Sequence, residues 1–159
     1  MGVITYDHEV ITSIPPAKLF KTFIVDFDNL IPNILPQAFK SVEILQGDGG
    51  AGTIKVTHFG EGSQYKSMKT HVDELDEENF VVKFTIIEGD VLEDVIEKIT
   101  FVIKILPSAD GGSVTITSST YYTKGDAKIN EEDIMSRKDK AAGVFKALEA
   151  YFDDNPDDY

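Results

Sequence analysis

The residues that could do chemistry in this chain are three histidines, a lysine centred in a β-branched stretch, several paired carboxylates and one glycine-rich run. His8, His58 and His71 fall on separate alternating stretches. None has the H-x-x-x-H or H-E-x-x-H spacing that sets two imidazoles on one helix face around a metal. Cysteine is absent, which removes a thiol nucleophile, a thiolate zinc site and any disulfide. No G-x-S-x-G nucleophile elbow occurs. The carboxylate runs Glu77-Glu78 and Glu131-Glu132-Asp133 sit at a turn and at a helix start, where acids are solvated and complement the helix dipole. The expectation is therefore no catalytic residue, no metal and no cofactor.

Residues 47–52 read Gly-Asp-Gly-Gly-Ala-Gly and formally match G-x-G-x-x-G. A dinucleotide site needs a helix directly after that run, so that its N-terminus meets the pyrophosphate. Here the next segment, Thr53–Phe59, is alternating and β-branched, which is a strand. The run reads instead as a hairpin loop using positive φ angles, whose amides could at most form a weak anion nest. Lys55 shares a strand face with Thr57 and Phe59, which aims it inward, and a buried ammonium needs a partner.

The elements that must position these groups follow from the changing hydrophobic period. Val3–Ser13 alternates and reads as a strand. Ser13-Ile14-Pro15-Pro16 opens a short helix whose face is Leu19, Phe20, Phe23 and Ile24. Pro32 and Pro36 delimit a second short helical segment around Asp28–Leu35. From Ser41 the period is two, with strands expected at 41–45, 53–59, 65–75, 80–88, 95–106 and 113–122, each bounded by Gly, Asp or Asn turns. Such short links imply an antiparallel meander. After Lys124-Gly125-Asp126 the period is helical to about Asp153, with Ile134, Ala141, Phe145, Leu148 and Phe152 in one stripe and Asn130 as N-cap. Lys138 falls at the edge of that stripe, where it would fringe an entrance or be solvated. The class is α+β.

At 159 residues the chain fits one domain, residues 1–159, which buries roughly 68–70% of its unfolded surface. Its net charge of −13 repels phosphate backbones and anionic lipid, so neither nucleic acid nor membrane is an expected partner. No apolar run approaches the ~20 residues of a bilayer span, and Met1–Asp7 lacks a secretory pattern. A cytoplasmic monomer is expected.

The run Val42–Lys55, with its glycines at 47, 49, 50 and 52, resembles the glycine-rich loop of the plant pathogenesis-related class 10 proteins, the family of the major birch-pollen allergen and its fruit homologues. Pro15-Pro16-Ala17, Asp28–Pro32, Glu61-Gly62, Ile87–Asp90, Glu97–Ile99, Asp110–Ser113, Thr123–Asp126 and the C-terminal Asn155–Tyr159 fall in the same register. The resemblance implies a seven-stranded curved antiparallel sheet wrapping a long C-terminal helix, two short helices after strand 1, and a large internal hydrophobic cavity. It implies binding, storage or transport of small amphipathic molecules such as flavonoids, cytokinins and sterols, in defence or development. A weak ribonuclease through Lys55, Glu97, Glu149 and Tyr151, or a cavity-based metabolic enzyme, is the alternative. Glu149 and Tyr151 are two apart on a helix and diverge. Ala51 and Val56 depart from the Pro and Lys usual there, and Ser67, Val82 and Phe84 replace cavity tyrosines.

Alternation independently sets Val82, Phe84 and Ile86 on one face, Phe101 and Ile103 on another, and Thr117, Ser119 and Tyr121 on a third. The resemblance turns the third inward and nominates Asp28 as partner to Lys55. The candidate ligand-binding set is completed by Phe23, Ile31, Phe39, Thr57, Phe59, Tyr65, Lys69, Lys138 and Ala141. A dry void of ~300 Å³ at ~24 cal/mol per Å³ would cost ~7 kcal/mol, so such a cavity should be wet or occupied.

Overall fold

A computed structural model describes residues 2–159. Strand β1 (Val3–Thr12) leads into α1 (Pro16–Leu19), a π-helical segment (Phe20–Val25) and α2 (Phe27–Ile34). Six strands follow: β2 (Phe39–Gln46), β3 (Ile54–Phe59), β4 (Ser67–Asp76), β5 (Val81–Gly89), β6 (Ile96–Pro107) and β7 (Ser113–Thr123). A 3₁₀ turn, Asp90–Leu92, links β5 to β6, and α3 (Glu131–Asp154) closes the chain.

The sheet has seven strands in the order β1-β7-β6-β5-β4-β3-β2, antiparallel throughout. Strands β2 to β7 form the expected meander. Strands β1 and β2, consecutive in sequence, lie at opposite edges, so the helical segment between them must carry the chain across. Pro16 begins α1 where its missing N–H costs nothing. α2 contains Pro32 and ends at Ile34, close to the expected segment around Asp28–Leu35. At α3 the Asn130 side chain accepts from Glu132 N at 2.8 Å, and three acids fill the first turn, as the cap pattern predicts.

Two apolar clusters fill the interior. The first joins Leu19, Phe20, Leu30 and Ile31 to Val82, Ile103 and Ile105, and to Val144, Phe145, Leu148 and Phe152 of the C-terminal half of α3. The second joins Ile86, Val91, Leu92, Ile96, Ile99 and Tyr121 to Ile134 in the first turns of α3. Val144, outside the stripe expected from sequence, lies one turn before Leu148 and shares its face. Between Ile134 and Val144 no α3 side chain is buried.

The expected strand at 65–75 begins two residues later. Asp90 accepts from the backbone N–H groups of Lys66 and Ser67 at 2.8 and 3.2 Å, which holds Tyr65 and Lys66 in the loop before β4.

Candidate functional site

A pocket of about 400 Å³ opens between the helical crossover and the β2–β6 part of the sheet. Its roof is Phe23–Val25, Phe27 and Asp28; its floor is Thr57, Thr70, Val72, Val82, Phe84 and Ile103; the glycine-rich loop contributes Asp48, Gly49 and Gly50 at one rim. The loop takes the predicted conformation, with φ of +96°, +105° and +89° at Gly47, Gly49 and Gly52. The Gly49 N–H donates to Thr53 Oγ1 at 2.9 Å, which fastens that rim to the start of β3.

Lys55 points into this pocket, as strand alternation requires. Its Nζ lies 3.0 Å from Asp28 Oδ1 and 3.0 Å from Oδ2, with side-chain exposures of 15% and 18%. A fork of this kind satisfies both charges across two elements and leaves a neutral, strongly dipolar spot in an apolar wall. Phe23, Phe27, Phe39 and Phe59 form a chain of ring contacts at 6.0, 5.3 and 5.9 Å, and Phe23 also meets Phe145 of α3 at 4.6 Å.

Of the residues predicted from sequence, the pocket gathers Phe23, Asp28, Lys55, Thr57, Val82, Phe84 and Ile103. The others lie elsewhere. Ile31 is fully buried in the first cluster and Ile86 in the second. Phe101, the cross-strand partner of Phe84 on the same sheet face, stacks on it at 4.9 Å and 19° but does not line the pocket. Lys69 is a correction: its neighbours Met68 and Thr70 both line the pocket, so alternation turns Lys69 to the outer face, 3.1 Å from Glu88. Reading the period of two through Thr70 and Val72 gives the same answer from sequence alone.

Tyr65 belongs to a clasp at the other end of the molecule. Its hydroxyl donates to Glu93 Oε1 at 2.9 Å and accepts from Arg137 Nη2 at 3.2 Å, while Arg137 also reaches the Val91 carbonyl at 2.6 Å. Burial, then the Glu93 bond, raises the Tyr65 phenol above its ordinary pKa. Sequence reasoning gave Arg137 no role, because its partners lie 46 and 72 residues away.

The hydroxyl face of β7 is inward as expected: Thr115, Thr117, Ser119 and Tyr121 are 1%, 8%, 6% and 3% exposed. It faces α3 and lies outside the pocket. Pairing with β1 sets His8 opposite Thr117 and Tyr6 opposite Ser119. Lys138 stands over the Tyr6 ring at 5.3 Å, and Ala141 is half-buried one turn on. Burial, and then the charge of Lys138, lowers the His8 pKa. Burial raises that of Tyr121.

Three of the four residues of the ribonuclease alternative have other partners or settings. Lys55 is paired with Asp28, Tyr151 donates to Asp158, and Glu97 is exposed on β6. Among the described residues no cluster of His, Asp and Glu could hold a metal ion.

Residues 1–155 match the family described as pathogenesis-related protein Bet v 1. Major allergen Pru ar 1 of Prunus armeniaca is 56% identical over 159 residues, covering 100% of this chain and 99% of the relative. Among solved structures, Ara h 8.0201 superposes with a TM-score of 0.82 at 39% identity, covering 94% of this chain and 97% of its own. Norcoclaurine synthase from Thalictrum flavum shares the fold with a TM-score of 0.75 at 24% identity, over 94% of this chain and 86% of its own.

Proposed function

The chain belongs to the pathogenesis-related Bet v 1 family, and on that premise we propose that it binds a small, largely apolar molecule in the pocket between the helical crossover and β2–β6. One observation carries this reading: a 400 Å³ hollow with aliphatic and aromatic walls holds a single inward-facing ion pair, Lys55–Asp28. That volume lies within the ~300–1,000 Å³ of small-molecule sites, which are mostly apolar with a few placed polar groups. At ~24 cal/mol per Å³, leaving it dry would cost about 10 kcal/mol, within the whole ~5–15 kcal/mol stability of a domain. Solvent or ligand therefore fills it.

The chemistry of the pair narrows the ligand. Each charge already has its counter-ion, so a bound molecule need bring none; it needs a hydroxyl or carbonyl that shares the fork. Polyphenols of the flavonoid type, purine cytokinins and hydroxylated sterols meet that description. Catalysis would need an acid or base free to exchange a proton with the ligand, and Lys55 and Asp28 are committed to each other. A carrier or store in defence or development is the role that follows. The proposed setting is the cytosol, which a chain without cysteine tolerates well, and the proposed state is a monomer.

The test is displacement of an apolar fluorescent dye by a panel of flavonoids, cytokinins and sterols, repeated on Lys55→Met. Saturable micromolar displacement by one class, weakened in the variant, is expected. A dye that does not bind, or ligands indifferent to Lys55, would remove the reading.

A further inference from the structure

A second hollow, of about 660 Å³, lies where the chain enters β2 and leaves β3. It shares no lining residue with the 400 Å³ pocket and takes none from α3, so it stands whatever that pocket holds. Its walls come from the stretch Pro36 to Lys40 and from the loop that joins β3 to β4.

The two walls are fastened to each other. The Gly60 N–H donates to the Ala38 carbonyl at 3.0 Å, and the Gly62 N–H to the Gln37 carbonyl at 2.8 Å. The backbones approach so closely that a Cβ on Gly60 would strike the Pro36 and Gln37 carbonyls. The hollow is therefore a preformed junction of two loops.

Its charge runs against that of the chain. Lys40, His58 and Lys66 line it against a single acid, Glu61, in a protein of net charge −13. Sheet register brings the three bases together. His58 pairs with Ser41 on β2 and with Ser67 on β4, and Lys40 and Lys66 immediately precede those partners. The lysines thus flank the imidazole from the two neighbouring chains, about 10 Å apart at two strand spacings. Among the described residues neither lysine has a carboxylate within ion-pairing distance. Glu43 stands 3.8 Å from His58 Nε2, and the Asp90 carboxylate near Lys66 is taken up by the backbone N–H groups of Lys66 and Ser67.

We propose that this hollow binds a small phosphate monoester of a polyhydroxylated molecule, of hexose phosphate size. A phosphate monoester is close to a dianion at neutral pH and offers three terminal oxygens, one for each base. A carboxylate offers one charge and two oxygens. The amides of Gln37 and Gln64, the Ser63 hydroxyl and the Glu61 carboxylate, all on the lining, supply donors and acceptors for hydroxyl groups. The volume is that of a small-molecule site. A long polyanion does not suit it, because the acidic surface repels whatever extends beyond the local bases, whereas a small ester sits within one screening length of about 8 Å.

The experiment titrates glucose 6-phosphate, inorganic phosphate and glucose into the intact chain at about 0.15 M salt, with backbone amides followed by NMR. Glucose 6-phosphate should bind saturably and shift the amides of residues 37–40 and 58–66, leaving those of Lys55 and Val82 in place. Inorganic phosphate should bind at the same amides about tenfold more weakly, and glucose should not bind. Lys40→Gln and Lys66→Gln should each weaken glucose 6-phosphate by about tenfold, the loss of one charge-assisted bond. Lys98→Gln, which changes the net charge equally but lies on β6, should leave its affinity unaltered. Absence of saturable binding, equal affinity for inorganic phosphate, shifts centred on Lys55, or equal losses in Lys98→Gln and Lys66→Gln each overturn the proposal.

Discussion

The two ends of the inner sheet face handle buried charge in opposite ways. On the β2–β6 side Lys55 and Asp28 come from different elements and cancel within the protein. On the β1–β7 side Lys138 and His8 also come from different elements, yet no carboxylate lies within ion-pairing distance of Lys138 among the described residues, and burial followed by the Lys138 charge lowers the His8 pKa. The apolar packing differs in parallel. Beside the pocket, α3 is anchored by Val144, Phe145, Leu148 and Phe152, whereas its middle spans the sheet with nothing buried. A paired charge is part of the fold. The first side should therefore respond to mutation through stability as well as binding, and the second with little change in stability.

The sharpest separation should come from α3 itself. Phe145→Ala removes a ring that is 4% exposed and meets Phe23 at 4.6 Å; a loss of about 3–5 kcal/mol is expected, seen as a melting temperature lower by about 10 °C. Met135→Ala, in the unpacked stretch, should change stability by less than about 0.5 kcal/mol. Asp28→Ala comes next. Leaving the Lys55 ammonium alone should cost about 3 kcal/mol by denaturant titration, and Asp28→Ala with Lys55→Met together should recover most of it. A double variant no better than the single one would break the view of the pair as a closed unit.

Smaller still is Ala141→Leu. In a packed core an added isobutyl group costs about 1–3 kcal/mol. At a position that is only half-buried it should cost less than about 1 kcal/mol. A full overpacking penalty would mean that the helix already rests on the sheet. The smallest effect is the acid limb of stability. His8 resists protonation when folded, so the unfolded chain binds the extra proton below about pH 6.5. Stability is therefore full above that pH and declines as the pH falls toward the lower folded value. His8→Asn should flatten this decline in melts taken across about pH 7.5 to 5.

Much of this was legible from residue order. Alternation through Thr115, Thr117, Ser119 and Tyr121 gave a face that is buried at every member. Asn130 before three acids marked the start of α3. The inward direction of Lys55 followed from Thr57, two residues away. Other features resisted. The π-helical stretch Phe20–Val25 has an apolar pattern that an α-helix would satisfy equally, so its wider hydrogen bonding carries no composition signal. Tyr65 looked like a strand residue until Asp90, from a different turn, took the backbone donors beside it.

Local rules reach as far as the next turn or the facing residue across a hairpin, because period, caps and φ preferences act over a few residues. They reached most of the element types and the inward direction of Lys55, but not the outward one of Lys69 or the π-helical stretch. Which inward side chains share a compartment is a different kind of fact. Lys55 meets Asp28 across 27 residues, and Lys138 meets the β1 strand across most of the chain. Those meetings depend on β1 and β2 lying at opposite edges of one sheet. Folding thereby divides a single predicted inner surface between a pocket whose charge is cancelled and a helix-covered face where Lys138 stands over Tyr6.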